Sequence, residues 1–168
     1  MKKLILLIAV FVVIISFVLF SQEFTYVGAN KCKICHKSEK QGKQFLIWEE
    51  SKHSKSFEAL TSEEVKVKVP NAPENPDCLK CHSPLFEKAA ELKEEGVACE
   101  ACHGPGSDYK KLSVMKNREV SIQKGLIVYE TPEAKKTLCL TCHEKAHDKP
   151  FDFDAAWNKI KHPRPEKE

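Results

Sequence analysis

Cys32-Lys33-Ile34-Cys35-His36 is the first of four pentapeptides of one form. The others are Cys78-Leu79-Lys80-Cys81-His82, Cys99-Glu100-Ala101-Cys102-His103 and Cys139-Leu140-Thr141-Cys142-His143. Together they use all eight cysteines and four of the seven histidines. Cys-x-x-Cys-His is the attachment pattern of c-type haem. Two intervening residues match the separation of the porphyrin vinyl groups, to which the thiols join as thioethers. The adjacent histidine then falls under the iron as its proximal ligand. Zinc ribbons and thioredoxin-like dithiols also contain Cys-x-x-Cys, but neither requires the fifth-position histidine. Seven histidines in 168 residues put four chance coincidences on the order of one in a few hundred thousand. Four covalent haem c groups are therefore expected, with His36, His82, His103 and His143 as proximal iron ligands.

Outward from these motifs, composition narrows the class. Hydrophobic residues are 42% of the chain, charged residues 30%, and the net charge is +3. These values point neither to disorder nor to a nucleic-acid binder. Met1-Lys2-Lys3 precedes an apolar run from Leu4 to Phe20 broken only by Ser16. A basic start before such a run has the form of a secretory signal peptide, and its length also approaches that of a short spanning helix. Leu19 and Ser21 could occupy the −3 and −1 positions of a cleavage site. The chain is thus divided into residues 1–21, a signal peptide or N-terminal membrane anchor, and residues 22–168, a tetrahaem domain. Its expected location is the periplasm, or the outer face of the cytoplasmic membrane if the N-terminal helix is retained. Export also favours the haem assignment, because free dithiols would oxidise there.

Between the motifs the pattern predicts short amphipathic helices and irregular links. Helices are expected over 40–64, over 84–95 (with Pro84 at the start and Gly96 at the end), over 113–125 and over 132–147. A short strand is expected at 126–129, a proline-rich link at 70–76, and a sharp turn at Gly104-Pro105-Gly106. The fold class is mainly α with extensive coil. Roughly one haem per 37 residues would make the porphyrins the core of a compact domain.

Three histidines remain for the distal faces: His53, His147 and His162. Four six-coordinate haems would need eight histidines per chain, and seven are present. At least one iron is therefore open or bound by another group, for which Met115 is the candidate thioether. Pairing identical subunits cannot repair this deficit. His53 lies on an apolar helical face with Phe45, Trp48, Phe57 and Leu60. His162 precedes Pro163 in a polar tail, and His147 follows His143 by four residues.

These residues resemble the tetrahaem cytochrome c-554 family. The likeness is carried by Tyr26-Val27-Gly28-Ala29 before the first motif and by Trp48-x-x-Ser51-x-His53. It continues in Gly96-Val97-x-Cys99-Glu100-x-Cys102-His103-Gly104-Pro105-Gly106-Ser107 and ends in His162-Pro163. The resemblance implies stacked haem pairs, three six-coordinate irons and an open second haem on His82. It implies that His53 ligates haem 4 opposite His143, and that His162 ligates haem 3 opposite His103. The family's distal histidine for haem 1, placed after the Gly-Pro-Gly turn, has no counterpart between His103 and His143, leaving Met115 or His147. Pro150-Phe151 is similar to a family segment that crowds the open haem.

The function expected is electron transfer between periplasmic redox proteins by a monomer or small oligomer. The competing class is a haem enzyme acting on nitric oxide, hydroxylamine or nitrite at the open iron. Against it, no Cys-x-x-Cys-Lys site is present, and no acid–base set accompanies the second motif; Lys80 and Glu100 read as solvated charges. A gas or redox sensor is a third class, but the chain carries no output domain. Without Lys2 and Lys3 the chain has 25 basic against 24 acidic residues. Eight haem propionates would then take the protein to roughly −3 when oxidised and roughly −7 when reduced.

Overall fold

In the computed structural model the described residues are 23–144 and 150–163. The expected leader over 1–21 and the candidate ligand His147 lie outside them. Ten short α-helices follow in order among the described residues. The first five are α1 (Ala29–His36), α2 (Gln44–Glu50), α3 (Ser56–Leu60), α4 (Glu63–Lys68) and α5 (Pro76–His82). After them come α6 (Cys99–His103), α7 (Leu112–Met115), α8 (Arg118–Gln123), α9 (Pro132–His143) and α10 (Phe153–Ile160). Three 3-10 turns occur at Glu39–Gln41, Ala72–Glu74 and Ala90–Glu95. The mainly α class is observed. No described helix is long and apolar enough to cross a membrane.

The helices are shorter than the apolar periodicity predicts, and polar side chains explain most of the breaks. The expected helix over 40–64 begins only at Gln44, because Lys43 is left-handed at φ 53°. It breaks at Ser51, whose hydroxyl donates to the Trp48 carbonyl at 2.7 Å, while Ser54 Oγ donates to the Glu49 and Ser51 carbonyls, each at 2.9 Å. Serine hydroxyls that capture nearby carbonyls offer the backbone an alternative to the helical ladder. Ser62 caps the next helix, which runs past the predicted end to Lys68.

Similar substitutions occur later in the chain. Residues 84–88 form turns and 90–95 a 3-10 helix, with the buried Ser83 hydroxyl taking the Lys93 carbonyl at 2.7 Å. The segment 113–125 divides at Asn117, which caps α8 through a bond to Val120 N at 3.1 Å. Ser121 Oγ clamps the two pieces by donating to the Val114 and Asn117 carbonyls. The strand expected at 126–129 is not observed: among the described residues no strand is formed. Its Ile127 N–H is taken by the His103 carbonyl at 2.9 Å. Helix α9 begins as predicted at Pro132, behind a Thr131 cap, and ends at His143.

Two small apolar clusters hold these pieces. One joins Phe57, Leu60, Ala72 and Leu79; the other joins Ala29, Phe45 and Ala98, with Trp48 against it. Trp48 Nε1 donates to the Val97 carbonyl at 2.8 Å, tying α2 to the approach of the third motif. Fully burying one such phenylalanine or leucine contributes about 1.5–3 kcal/mol. The first cluster brings α3 onto α5, and the second brings α1 onto α2 and α6. Both clusters border the Cys-x-x-Cys-His segments.

Candidate functional site

Each of the four motif histidines is the last residue of a helix: His36 of α1, His82 of α5, His103 of α6 and His143 of α9. The final turn of each helix therefore carries the two cysteines at i and i+3 and the histidine at i+4. In an α-helix these positions share one face. That is the arrangement needed for two thioethers and one axial nitrogen on a single porphyrin. All eight cysteines are free thiols.

The thiols also show which motifs are neighbours. Cys32 and Cys99 act on each other's titration, which places motif 1 beside motif 3. Cys81 and Cys142 do the same for motifs 2 and 4. Burial pushes the Cys102 thiol up to about 11, and the charges of Cys139 and Cys142 add to the shift, so motif 3 also lies near motif 4. The spatial order is 1–3–4–2, which the sequence order conceals.

Two of the three spare histidines reach motif histidines. The rings of His53 and His143 have centroids 6.1 Å apart, and those of His103 and His162 are 5.8 Å apart. With metal–nitrogen bonds of about 2 Å, an imidazole–metal–imidazole stack spans roughly 6 Å between ring centres. The residues present fit a haem iron held between two imidazoles at each pair. Burial pushes His103 down to about 4, helped by His162. Burial likewise lowers His53, helped by His143, and lowers His162, helped by His36. These rings are thereby held neutral, the form that binds a metal. Met115 ends α7, half-buried. Phe151 stacks on His143 with centroids 4.6 Å apart and planes at 11°, so that segment flanks the fourth motif.

Second contacts orient the proximal rings. His82 Nδ1 lies 2.7 Å from the Ser56 carbonyl and His36 Nδ1 lies 3.3 Å from Gln44 Oε1. A bond to Nδ1 fixes the tautomer and leaves Nε2 free to ligate, as is usual around metal-bound histidines.

Glu100 is not the solvated charge that its sequence suggests: it is 1% exposed. Its carboxylate accepts from Val27 N at 2.9 Å, Gly28 N at 2.8 Å and Gly106 N at 2.6 Å. Glu95 Oε2 accepts from Ala29 N at 2.8 Å beside it. The signal was present in the flanking glycines. Gly28 has φ 84°, and a Cβ there would meet Glu95 Oε1 at 2.7 Å; one on Gly106 would meet Glu100 Oε1 at 2.9 Å. Both glycines let backbone N–H groups close on a carboxylate. Lys80, by contrast, is an exposed charge paired with Asp77.

Comparison with known proteins bears on the same segments. Residues 31–104 match the family model described as "Cytochrome c554 and c-prime", a span that holds the first three motifs. A "Cytochrome c-554" of Nitrosomonas europaea is 31% identical over 100 residues, covering 51% of this chain and 40% of that relative. The chain thus spans less than half the length of the relative it matches. No solved structure matches the chain. With its motif histidines closing four helices and its glycines folded around Glu100, the chain is similar to the cytochrome c-554 family over the segment that holds its first three motifs, and covalently bound haem c is the cofactor which that similarity implies.

Proposed function

We propose that the chain is an exported tetrahaem electron carrier that relays electrons between periplasmic redox proteins. The cofactor would supply reversible one-electron exchange between ferric and ferrous iron. The chain's own residues supply the rest. Eight cysteines tether the groups, and four helix-terminal histidines give each iron a proximal nitrogen. His53 and His162 close the distal faces of the fourth and third sites, a role supported by the ring separations of 6.1 and 5.8 Å. The observation that carries the proposal is the order in which the motif thiols neighbour one another, 1–3–4–2. It packs the attachment segments into one continuous series, so that an electron crosses only short gaps.

The test combines a haem count with ligand spectroscopy. Intact mass is expected to show four haem additions. The ferric spectrum is expected to be mostly low-spin, and the reduced protein to bind carbon monoxide at about one site per chain. His53→Ala is expected to add one further carbon monoxide site. Fewer than four haems would end the tetrahaem proposal. Sustained turnover of nitric oxide or hydroxylamine with a simple electron partner would replace the carrier by an enzyme.

A further inference from the structure

The surface around the first motif differs in charge from that around the other three. From one residue before the first cysteine to eleven after it, residues 31–43 carry Lys31, Lys33, Lys37, Lys40 and Lys43 against Glu39 alone. The net charge there is +4. The same window at the second, third and fourth motifs gives 0, −1 and 0. Lys31, Lys37, Lys40 and Lys43 are exposed. Lys33 and Lys43 make ion pairs with Glu49 and Glu39. Pairs at such exposure contribute little and leave the field of the patch in place.

The centre of this basic surface is apolar and close to the tether. Ile34, between the two motif cysteines, is 74% exposed. Cys35 is exposed, whereas the other seven cysteines are half-buried. Motif 1 also stands at one end of the 1–3–4–2 series, where an electron would enter or leave. An exposed aliphatic side chain within a lysine-rich segment, at the most accessible attachment site, has the composition of a transient docking face. Charge steers the encounter and the apolar centre seats it.

We propose that this face docks a redox protein with an acidic surface and makes the first motif the exchange port. The proposal rests on the haem-carrier function above. The lysines orient the partner because the rest of the chain lacks a comparable basic segment at its motifs. Docking brings the partner's redox centre over Ile34 and Cys35, the shortest approach to a tethered group.

The experiment is stopped-flow reduction of the full holoprotein by an acidic plant-type [2Fe–2S] ferredoxin, whose potential near −400 mV makes it a competent donor. The second-order rate is expected to fall steeply with added salt. In Lys31→Glu/Lys37→Glu it is expected to fall about tenfold at low salt and to lose that salt dependence. Ile34→Ala is expected to give a smaller, salt-independent loss. Lys80→Glu/Lys88→Glu, at the second motif, is expected to leave the rate unchanged. The milder Lys37→Gln/Lys40→Gln, checked for wild-type haem content, serves if charge reversal impairs assembly.

Equal losses from the first and second motifs would overturn the docking face while leaving the carrier function standing. Protein that acquires no haem would instead remove the carrier function itself, before any rate is read. Salt-independent ferredoxin reduction, with binding to phosphatidylglycerol vesicles, would assign the patch to a lipid surface and also overturn the proposal.

Discussion

Gln44 Nε2 donates to the Pro163 carbonyl at 3.0 Å, bridging 119 residues of chain. The same amide receives His36 Nδ1 on its oxygen at 3.3 Å and donates to the Gln41 carbonyl. One side chain thus orients the proximal ring of the first motif and fastens the tail that carries His162. Gly42 lies close by; a Cβ there would meet Pro163 Cγ at 2.8 Å. The polar C-terminal segment is fastened to the body at this point through its carbonyl.

Gln44→Ala removes both functions at once. A lost hydrogen bond is worth about 1 kcal/mol, and one of the three made by Gln44 reaches Pro163, so the tail is expected to loosen by about 1 kcal/mol. In the carrier proposed above, protons would compete with a haem iron for His162, and a weaker hold would let them win at higher pH. A low-spin to high-spin transition of the proposed third haem is then expected to move up by about one pH unit. An acid titration followed in the visible spectrum reads this directly. An unchanged transition would mean that His162 is held by the metal alone.

The acid side of the stability profile follows from the buried rings. His103 is pushed down to about 4 by burial and by His162, against an unfolded value of about 6.5. The folded protein therefore favours the neutral ring, and below pH 6.5 the unfolded chain binds more protons. The stabilisation is complete above about pH 6.5 and is lost as the pH falls toward 4, amounting to about 3 kcal/mol for His103. His53 and His162 are lowered too and act with the same sign. Urea midpoints are expected to be level from pH 6.5 to 8 and to fall steadily below that. A midpoint rising on acidification would contradict the sign.

What the sequence disclosed and what it hid have separate physical causes. The Cys-x-x-Cys-His pattern is local, and the final helical turn at each site follows from its own spacing. Ser51 and Ser54 break the predicted helix over 40–64 because a hydroxyl can take a carbonyl from the ladder, which apolar periodicity does not register. The contacts of His53 with His143 and of His103 with His162 join residues far apart in the chain. Only family resemblance, not spacing, anticipated those partners. The 1–3–4–2 order depends on long-range packing of α1 on α6 and was not legible at all.

Glu100 was misread because its partners are backbone N–H groups, which carry no side-chain signature. Two bonds reach it from the segment before the first motif and one from the turn after the third. Hydrogen bonds to an ionised group are worth about 1.5–3 kcal/mol each, and orphaned buried donors add a desolvation cost. Glu100→Ala would strand three N–H groups where water enters poorly. Glu100→Gln would aim an amide N–H at one or more of them. Both variants are expected to lower stability by about 3 kcal/mol or more, with alanine leaving the larger void. Because Val27 and Gly28 lead into α1, the loss is expected to reach the first motif as well as the third. Denaturant unfolding, with haem content measured on the same preparations, checks this. A Glu100→Gln protein as stable as the wild type would show that the carboxylate's charge does not hold the two segments together.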